Sequence, residues 1–322
     1  MKYNRLGGSG LNVSALGLGT NAFGKRADFE ASKQILELAI DSGINFIDTA
    51  NIYAGTQSET IIGQVLEGRR HEVVLATKAG LPKGKGVNEK GSSRYHLELE
   101  LEGSLRRLKT DYVDLYQIHT FDPNTPLEET LRALENMIAS GKVRYIGASN
   151  YYAWELMKAI GISEKLGLNR FVSTQVSYSL ADRTPERELV PMCLDQGVGV
   201  IPYFPLAAGI LTGKYNEGQA PQGSRGQVDP GFSRFMGENN IELGKRVSSI
   251  AERAGCSPSV LSTAWLMSRP AVSTVIVGAS RAEQLRENVK SAEFELTPEI
   301  VLELDEVSDA FRHGDPMAIY RL

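Results

Sequence analysis

The chain has 322 residues, of which 42% are hydrophobic, and its 35 lysine and arginine residues nearly balance 39 aspartate and glutamate residues. This composition supports a large buried core in one big α/β barrel or in two ordinary domains, and the balanced charge argues against nucleic acid and anionic membranes as partners. Cys193 and Cys256 stand far apart without metal-ligand spacing, so neither a disulfide framework nor a zinc site is expected.

The first residues, KYNRLGGSGLNVSALG, have the pattern of a β-hairpin with GGSG as its turn. They lack the apolar core of a signal peptide, and no later stretch approaches a membrane span. We therefore expect a cytoplasmic protein without a membrane partner, whose hairpin closes the N-terminal end of the fold.

Eight short apolar runs alternate with longer amphipathic helical patterns along the chain. The runs are residues 13–19, 44–48, 73–78, 112–119, 143–149, 171–176, 198–204 and 273–278. Such alternation predicts a parallel sheet covered by helices, and eight units favour closure into a (β/α)8 TIM barrel, here one domain over residues 1–322. An open doubly wound sheet is the alternative, but GLGTNAFG after the first run lacks the GxGxxG spacing of that fold.

Two segments depart from the simple repeat. A Gly/Pro/Ser-rich loop over 212–237 precedes two helical patterns, 238–254 and 257–268, and we expect this loop to fold over a ligand. After a predicted helix from 298 to about 309, the irregular segment FRHGDPMAIYRL carries Phe311 and Tyr320, which we expect to cover the same opening.

Four polar residues stand at the ends of apolar runs or just beyond them. Asp48 closes INFID, Lys78 closes VVLATK, His119 closes YVDLYQIH, and Tyr53 follows the first of these runs. Each alone has an ordinary explanation, such as a helix cap, a solvated lysine, a rim histidine or a half-buried aromatic. The position of all four at or just beyond the carboxyl ends of parallel strands predicts a catalytic cluster at one opening of the barrel.

These four side chains suit proton transfer to a carbonyl oxygen. A phenol, with a pKa near 10, needs a nearby cation to become more acidic, and Lys78 held by Asp48 provides one. A neutral His119 donates an N–H to the same oxygen, which prepares the carbonyl carbon for a hydride from a cofactor. A Schiff-base aldolase that uses Lys78 is the alternative chemistry.

Several segments in sequence order resemble the signatures of the aldo-keto reductase superfamily. They are NFIDTANIYAGTQSE, ATKAG, DYVDLYQIH, GKVRYIGASN, TQVSYS, IPYFPLAAGILTGKY and VIVGASRAEQLRENV. The resemblance implies an NADPH-dependent carbonyl reductase with the catalytic tetrad Asp48, Tyr53, Lys78 and His119, acting on a small carbonyl substrate as a monomer or homo-oligomer. It is strongest to the bacterial stress-protein and potassium-channel β-subunit branches, which makes a cofactor-binding regulatory module with little turnover the alternative. We favour the enzyme because the chain starts at the hairpin, without an inactivation segment.

The same resemblance implies a set of cofactor-binding residues. It assigns Ser149, Asn150 and Gln175 to the nicotinamide carboxamide and Tyr203 to stacking on the ring. It also assigns Gly19, Thr20, Asn21 and Asp48 to the cofactor site. The residues that it assigns to the pyrophosphate are Phe204, Pro205, Leu206, Ala207, Gly209, Leu211, Lys214 and Arg225. Those that it assigns to the adenosine end are Gly278, Ser280, Arg281, Gln284, Glu287 and Asn288. Arg281 argues for NADPH over NADH because a guanidinium binds a 2′-phosphate. Candidate walls of a substrate pocket are Phe23, Phe121, Tyr151, Tyr152, Phe232 and Tyr320.

Overall fold

Eight parallel β-strands form a nearly closed barrel at the centre of the molecule. The computed structural model describes residues 1–222, 224–228 and 230–322, and the side chains of residues 225, 228 and 230 lie outside that description. The strands are β1 Tyr3–Arg5 and β2 Asn12–Ser14 in a separate hairpin, and β3 Leu16–Gly19, β4 Phe46–Asp48, β5 Val74–Ala79, β6 Val113–Ile118, β7 Val143–Ser149, β8 Ser173–Ser177, β9 Gly199–Tyr203 and β10 Val275–Gly278 in the barrel.

Neighbouring strands of the barrel follow one another in the sequence from β3 to β9, with β10 paired to β3. Residues just before β10 complete the circle, because Val200 of β9 accepts from Ser273 N at 3.0 Å and donates to Ala271 O at 2.8 Å. The predicted (β/α)8 barrel is therefore confirmed, and the open doubly wound alternative is wrong.

Helices cover the outside of this barrel. They are α1 Phe29–Asp41, α2 Gln57–Val65, α3 Arg94–Leu108, α4 Leu127–Ala139, α5 Ala153–Leu166, α6 Leu189–Gln196, α7 Arg225–Val228, α8 Glu238–Arg253, α9 Pro258–Met267, α10 Ala282–Val289 and α11 Pro298–Val307. Asp28, Ser93, Ser257 and Thr297 each accept a backbone N–H in the first turn of a helix, which fixes where that helix begins. Left-handed Gly167 and Gly197 end α5 and α6.

The N-terminal hairpin lies against the amino ends of the barrel strands, as the sequence predicts. Gly8 N donates to Gly197 O at 2.6 Å, next to the start of β9. Gly7 has a φ of +57° and an added Cβ would come within 2.4 Å of Val172 O, so only glycine fits this turn. Leu6 and Val13 pack with residues of the barrel interior and close that end.

The predicted 212–237 loop contains short helices. The single turn of α7 and a 3-10 helix over Pro230–Phe235 lie within it, and another 3-10 helix, Ala207–Thr212, ends where it begins. The two helical patterns that follow are confirmed as α8 and α9. The predicted C-terminal helix is α11, and a short 3-10 helix, Asp309–Arg312, follows it. Residues 313–322 form an irregular segment, here called the C-terminal tail.

Candidate active site

A cavity of about 600 Å³ opens at the carboxyl ends of the barrel strands. Most of the predicted site residues line it: Gly19, Thr20, Asn21, Asp48, Tyr53, His119, Ser149, Asn150, Gln175, Tyr203, Phe204, Pro205, Leu206, Gly209, Lys214, Gly278, Ser280, Arg281, Gln284, Glu287 and Asn288. Lys78 lies fully buried beneath the cavity, and Ala207 and Leu211 are buried behind its wall. The side chain of Arg225 lies outside the described residues.

Lys78 joins two of the predicted catalytic side chains. Its Nζ donates to Asp48 Oδ1 at 2.6 Å and to the backbone carbonyl of Thr49 at 2.8 Å, and lies 3.3 Å from Tyr53 Oη. Both members of the Lys78–Asp48 ion pair are buried. With three acceptors around it, the ammonium group is held in one position below the Tyr53 hydroxyl.

The second carboxylate oxygen of Asp48 is bonded to glutamine side chains from two other strands. Gln175 Nε2 of β8 donates to Asp48 Oδ2 at 2.9 Å, and Gln117 Nε2 of β6 lies 3.2 Å from the same oxygen. Gln117 is absent from the set of predicted site residues. The sequence feature that could have identified it is a glutamine inside the apolar run YVDLYQIH, because a buried amide needs hydrogen-bond partners.

The turn after β4 that carries Tyr53 continues into residues with left-handed backbone angles. Ala54, Gly55 and Thr56 follow Tyr53 with positive φ angles of 50°, 61° and 83°. Left-handed backbone angles cost free energy in residues other than glycine, and residues with such angles cluster at functional sites. Asn51 in the same turn donates to Glu100 Oε2 of α3 at 2.8 Å, and Lys83 Nζ holds that carboxylate at 2.7 Å.

The charges of this site do not follow the sequence expectation for Tyr53. Burial raises the pKa of the Tyr53 phenol well above its usual range, and the negative charge of Asp48 adds to that shift. The expected lowering of the Tyr53 pKa toward neutrality by Lys78 is therefore wrong for this structure. Burial also lowers the pKa of Lys78, and Asp48 opposes that shift through its charge and hydrogen bond. The phenol consequently stays protonated at neutral pH.

His119 faces Tyr53 across the cavity as a neutral imidazole. The two rings meet edge to face with their centroids 6.0 Å apart. Burial, and then the nearby positive charge of Lys78, hold the pKa of His119 well below its usual value. Its Nδ1 is buried without a hydrogen-bond partner among the described residues. A neutral ring keeps one N–H, so it can donate to an oxygen placed beside the Tyr53 hydroxyl.

The lowered pKa values of the two buried histidines predict how stability depends on pH. Burial lowers the pKa of His96 as well as that of His119. In the unfolded chain both titrate near 6.5, so below about pH 6.5 the unfolded state binds protons that the native state does not. We expect the free energy of unfolding to be largest above this pH and to fall as pH decreases from 7.5 to 5.5, measured by urea denaturation.

The same experiment has a matched pair of variants. His96→Leu should reduce the pH dependence and leave the part due to His119, whereas His71→Leu, on an exposed histidine, should leave it unchanged. A free energy of unfolding that stays constant between pH 7.5 and 5.5 would contradict the prediction.

Asn150 joins the ends of β6, β7 and β9. It adopts a left-handed φ of 56°, and its Nδ2 donates to His119 O at 2.9 Å. Tyr203 Oη lies 2.8 Å from Asn150 Oδ1 and 2.9 Å from Ala318 O of the C-terminal tail. Ser149 Oγ donates to Gln175 O at 3.0 Å. These bonds fix the orientation of the Tyr203 ring at the cavity wall.

A run of left-handed residues follows β9 along the cavity. Phe204, Ala207 and Ala208 have φ angles of 55°, 47° and 57°, and Gly209 has 109°. Alternation of right-handed and left-handed residues builds concave groups of backbone N–H donors that bind anions. The strain in three non-glycine residues indicates that this wall is shaped for a function.

The far end of the cavity lies at the start of α10. Arg281 occupies the N-cap position of that helix and is exposed, and Ser280 N and Oγ are bonded to Gln284 Oε1 at 2.8 and 3.1 Å. Three cationic residues, Arg26, Lys214 and Arg281, line the cavity. The site is electrostatically suited to an extended anion.

Sequence reasoning missed several residues of the cavity wall. They are Arg26, Ile52, Leu81, Ala208, Thr212, Ser259, Ile276, Val277 and Ala279. Of the candidate substrate walls, only Tyr320 lines this cavity, and Phe23, Tyr151 and Phe232 are buried in the core. Leu81 and Ile52 lie in the connections after β5 and β4. The residue type alone does not show there whether an apolar side chain lines a cavity or packs in the core.

The C-terminal tail crosses the mouth of the cavity. Thr120 Oγ1 donates to Tyr320 O at 2.6 Å, and Arg321 forms an ion pair with Glu155 at 3.0 Å. The Tyr320 ring lies 6.4 Å from His119 and 6.3 Å from Tyr203. The expectation that Tyr320 covers the opening is confirmed by this placement, whereas Phe311 packs against the core and does not line the cavity.

Two other kinds of site find no support within residues 1–222, 224–228 and 230–322. No group of three or more His, Cys, Asp or Glu side chains there is arranged to hold a metal ion. No helix in that part of the chain combines the length and apolar character needed to cross a membrane.

Comparison with known proteins gives a consistent result over nearly the whole chain. The family model described as "Aldo/keto reductase family" matches residues 15–309. An "Uncharacterized oxidoreductase YrpG" of Bacillus subtilis is 38% identical over 95% of this chain and 96% of its own length. "Probable voltage-gated potassium channel subunit beta" proteins of Arabidopsis thaliana and Oryza sativa are 36% and 37% identical, with the same coverage of 95% and 96%.

Proposed function

The chain belongs to the aldo/keto reductase family, and from this premise we propose that it reduces an aldehyde or ketone to an alcohol with NADPH. The observation that carries the proposal is the contact of Lys78 Nζ with both Asp48 and Tyr53, at the base of a cavity that His119 also lines. A small carbonyl compound is the expected substrate, since one phenol and one imidazole converge on a single acceptor oxygen.

The residues present fit the nicotinamide cofactor. The left-handed wall from Phe204 to Gly209, with Lys214 beside it, suits a pyrophosphate. Arg281 at the α10 N-cap suits a 2′-phosphate, and Ser149, Asn150, Gln175 and Tyr203 would hold the nicotinamide end. NADPH, when bound, supplies the hydride.

The chain's own residues handle the proton and the carbonyl oxygen. Tyr53 donates its proton to the oxygen as negative charge develops there, and the Lys78 ammonium stabilises the resulting phenolate. Although burial raises its pKa, Tyr53 is a phenol, and phenols are stronger acids than aliphatic alcohols, so it can donate its proton to an alkoxide-like oxygen. His119 orients the carbonyl, and Asp48 holds Lys78 in place.

The geometry does not favour the Schiff-base alternative. Imine formation requires a neutral lysine that reaches the substrate carbon. Lys78 is fully buried, does not line the cavity, and its Nζ has three oxygen partners. Borohydride in the presence of a carbonyl substrate should therefore leave the mass of the protein unchanged.

The direct test follows NADPH oxidation by its absorbance. A panel of short aldehydes, aromatic aldehydes, sugars and dicarbonyl compounds would be offered to the purified protein. The proposal requires saturable oxidation with at least one of them and formation of the corresponding alcohol. If NADPH bound but none of the panel were reduced, the proposed enzymatic function would be rejected.

Arg281 gives a specific prediction for the cofactor. If its guanidinium contacts the 2′-phosphate, Arg281→Ala should raise the KM for NADPH by about ten- to a hundredfold and leave the KM for NADH nearly unchanged. Arg286→Ala is the matched control, because Arg286 is an exposed arginine of the same helix that does not line the cavity. Equal effects of Arg281→Ala on both cofactors would remove the phosphate assignment.

A second candidate function rests on the names of two of the relatives, which describe channel subunits. In that case the barrel would bind NADPH as a regulatory module with little turnover. Stopped-flow measurement separates the two functions, since an enzyme oxidises bound NADPH over repeated turnovers. A regulatory module would retain bound NADPH without oxidising it under the same conditions.

A further inference from the structure

A second cavity, of about 330 Å³, lies between the C-terminal tail and the body of the barrel. Of the described residues, only Asn150 lines both cavities. The body of the barrel contributes Tyr151, Tyr152 and Trp154 to its wall, and the tail contributes residues 314–316, 318 and 319. The space is therefore distinct from the candidate active site but shares the tail with it.

The wall of this second cavity combines aromatic surface with unpaired negative charge. Trp154 is 58% exposed, whereas the Tyr152 ring, 45% exposed, is covered on one face by the Arg321 guanidinium 3.8 Å from its centroid. Glu188 and Asp315 are exposed residues that line the cavity, and neither carboxylate has an ion pair or side-chain hydrogen bond among the described residues. Arg187 is the one lining cation in that part of the chain, and it donates to Gly314 O at 3.5 Å.

Most of the remaining hydrogen-bonding capacity of the wall is that of acceptors, and Tyr151 Oη, which is buried without a partner among the described residues, can either donate or accept. Ser177 Oγ and Thr184 Oγ1 both line the cavity and donate their protons to Asp182, at 2.6 and 2.7 Å. A hydroxyl that has donated its proton can only accept further bonds. Together with the two carboxylates, these oxygens match a ligand that carries several N–H donors and a positive charge.

We propose that this second cavity binds a small primary amine that carries an aromatic ring. The ammonium group donates to the Glu188 and Asp315 carboxylates, and the ring packs against Trp154 and the neighbouring apolar wall. An amine is favoured over a carboxylic acid because the lining carries two carboxylates against one guanidinium. The proposal is independent of the reduction proposed for the first cavity.

The position of the tail gives this site a consequence for the first cavity. Met317 N donates to Asp182 Oδ2 at 2.8 Å, and Ala318 O accepts from Tyr203. An occupant between the tail and the barrel therefore stabilises the docked tail, and with it the position of Tyr320 at the mouth.

The test uses 2-phenylethylamine as the probe and the fluorescence of Trp154 as the signal. The chain has two tryptophans, and the other, Trp265, is fully buried and lies outside this wall. We expect saturable binding that saturating NADP+ does not displace. The isosteric 2-phenylethanol should bind at least about tenfold more weakly, because it lacks the charge-assisted hydrogen bonds.

Variants and proteolysis complete the experiment. Glu188→Gln combined with Asp315→Asn should weaken amine binding by about tenfold or more, whereas Glu98→Gln, an exposed carboxylate on α3, should not change it. The probe should also slow tryptic cleavage after Arg312, which releases the tail. Absence of saturable binding, displacement by NADP+, or equal affinity for the alcohol would each overturn the proposal.

Discussion

Replacing Tyr53 by phenylalanine should abolish most of the turnover while leaving NADPH affinity nearly intact. The substitution removes one oxygen, the atom 3.3 Å from Lys78 Nζ, and keeps the ring that packs against His119. Loss of a general acid costs about 10² to 10⁴ in rate. Single-turnover NADPH oxidation measures the rate, and quenching of protein fluorescence by NADPH measures the affinity.

The control for this experiment is Tyr95→Phe, which removes the same oxygen from a tyrosine that is 64% exposed on α3. It should retain full activity. If Tyr53→Phe lost cofactor binding together with activity, the hydroxyl would be serving the cofactor site and its assignment as proton donor would fail.

Replacing Lys78 by methionine should be the most destabilising single change in the site. It leaves the Asp48 carboxylate buried with one oxygen facing an apolar side chain, and removal of one partner of a buried ion pair costs about 3–5 kcal/mol. The free energy of unfolding, from urea denaturation, should fall by roughly that amount, and NADPH oxidation should be lost.

A double variant separates the structural role of the pair from its chemical role. Adding Asp48→Asn to Lys78→Met removes the buried charge, and the asparagine oxygen can still accept from Gln117 and Gln175. Stability should then recover in part, whereas activity should not. A Lys78→Met protein as stable as the original would contradict the burial of the Asp48 carboxylate.

The barrel and the meeting of Asp48, Lys78, Tyr53 and His119 were predictable because both follow from local pattern. Each of these residues lies at or just beyond the end of an apolar run, and parallel strands bring such ends to one opening. Gln117 was missed because it lies inside a run, where an amide is noticed only once its partner is known. The sequence also could not show that burial controls the pKa of Tyr53, since burial is a property of the assembled fold.

The arrangement of the tail was less predictable for a different reason. Tyr320 reaches Thr120 and Asn150 across 200 and 170 residues of sequence, and no periodicity encodes such contacts. Its aromatic character was the only available signal. The second cavity depends on the same tail contacts. The sequence around Glu188 and around Asp315 therefore does not indicate that the two residues line one cavity.

The carboxylate of Asp48 also has a practical consequence for making an inert version of this protein. Its two oxygens connect side chains of β4, β5, β6 and β8, so the residue holds the rim of the barrel together as well as serving the lysine. A reagent meant to capture substrates without converting them should therefore keep Asp48 and carry its change at Tyr53. Such a protein would preserve the shape of the opening for crystallography or ligand screening.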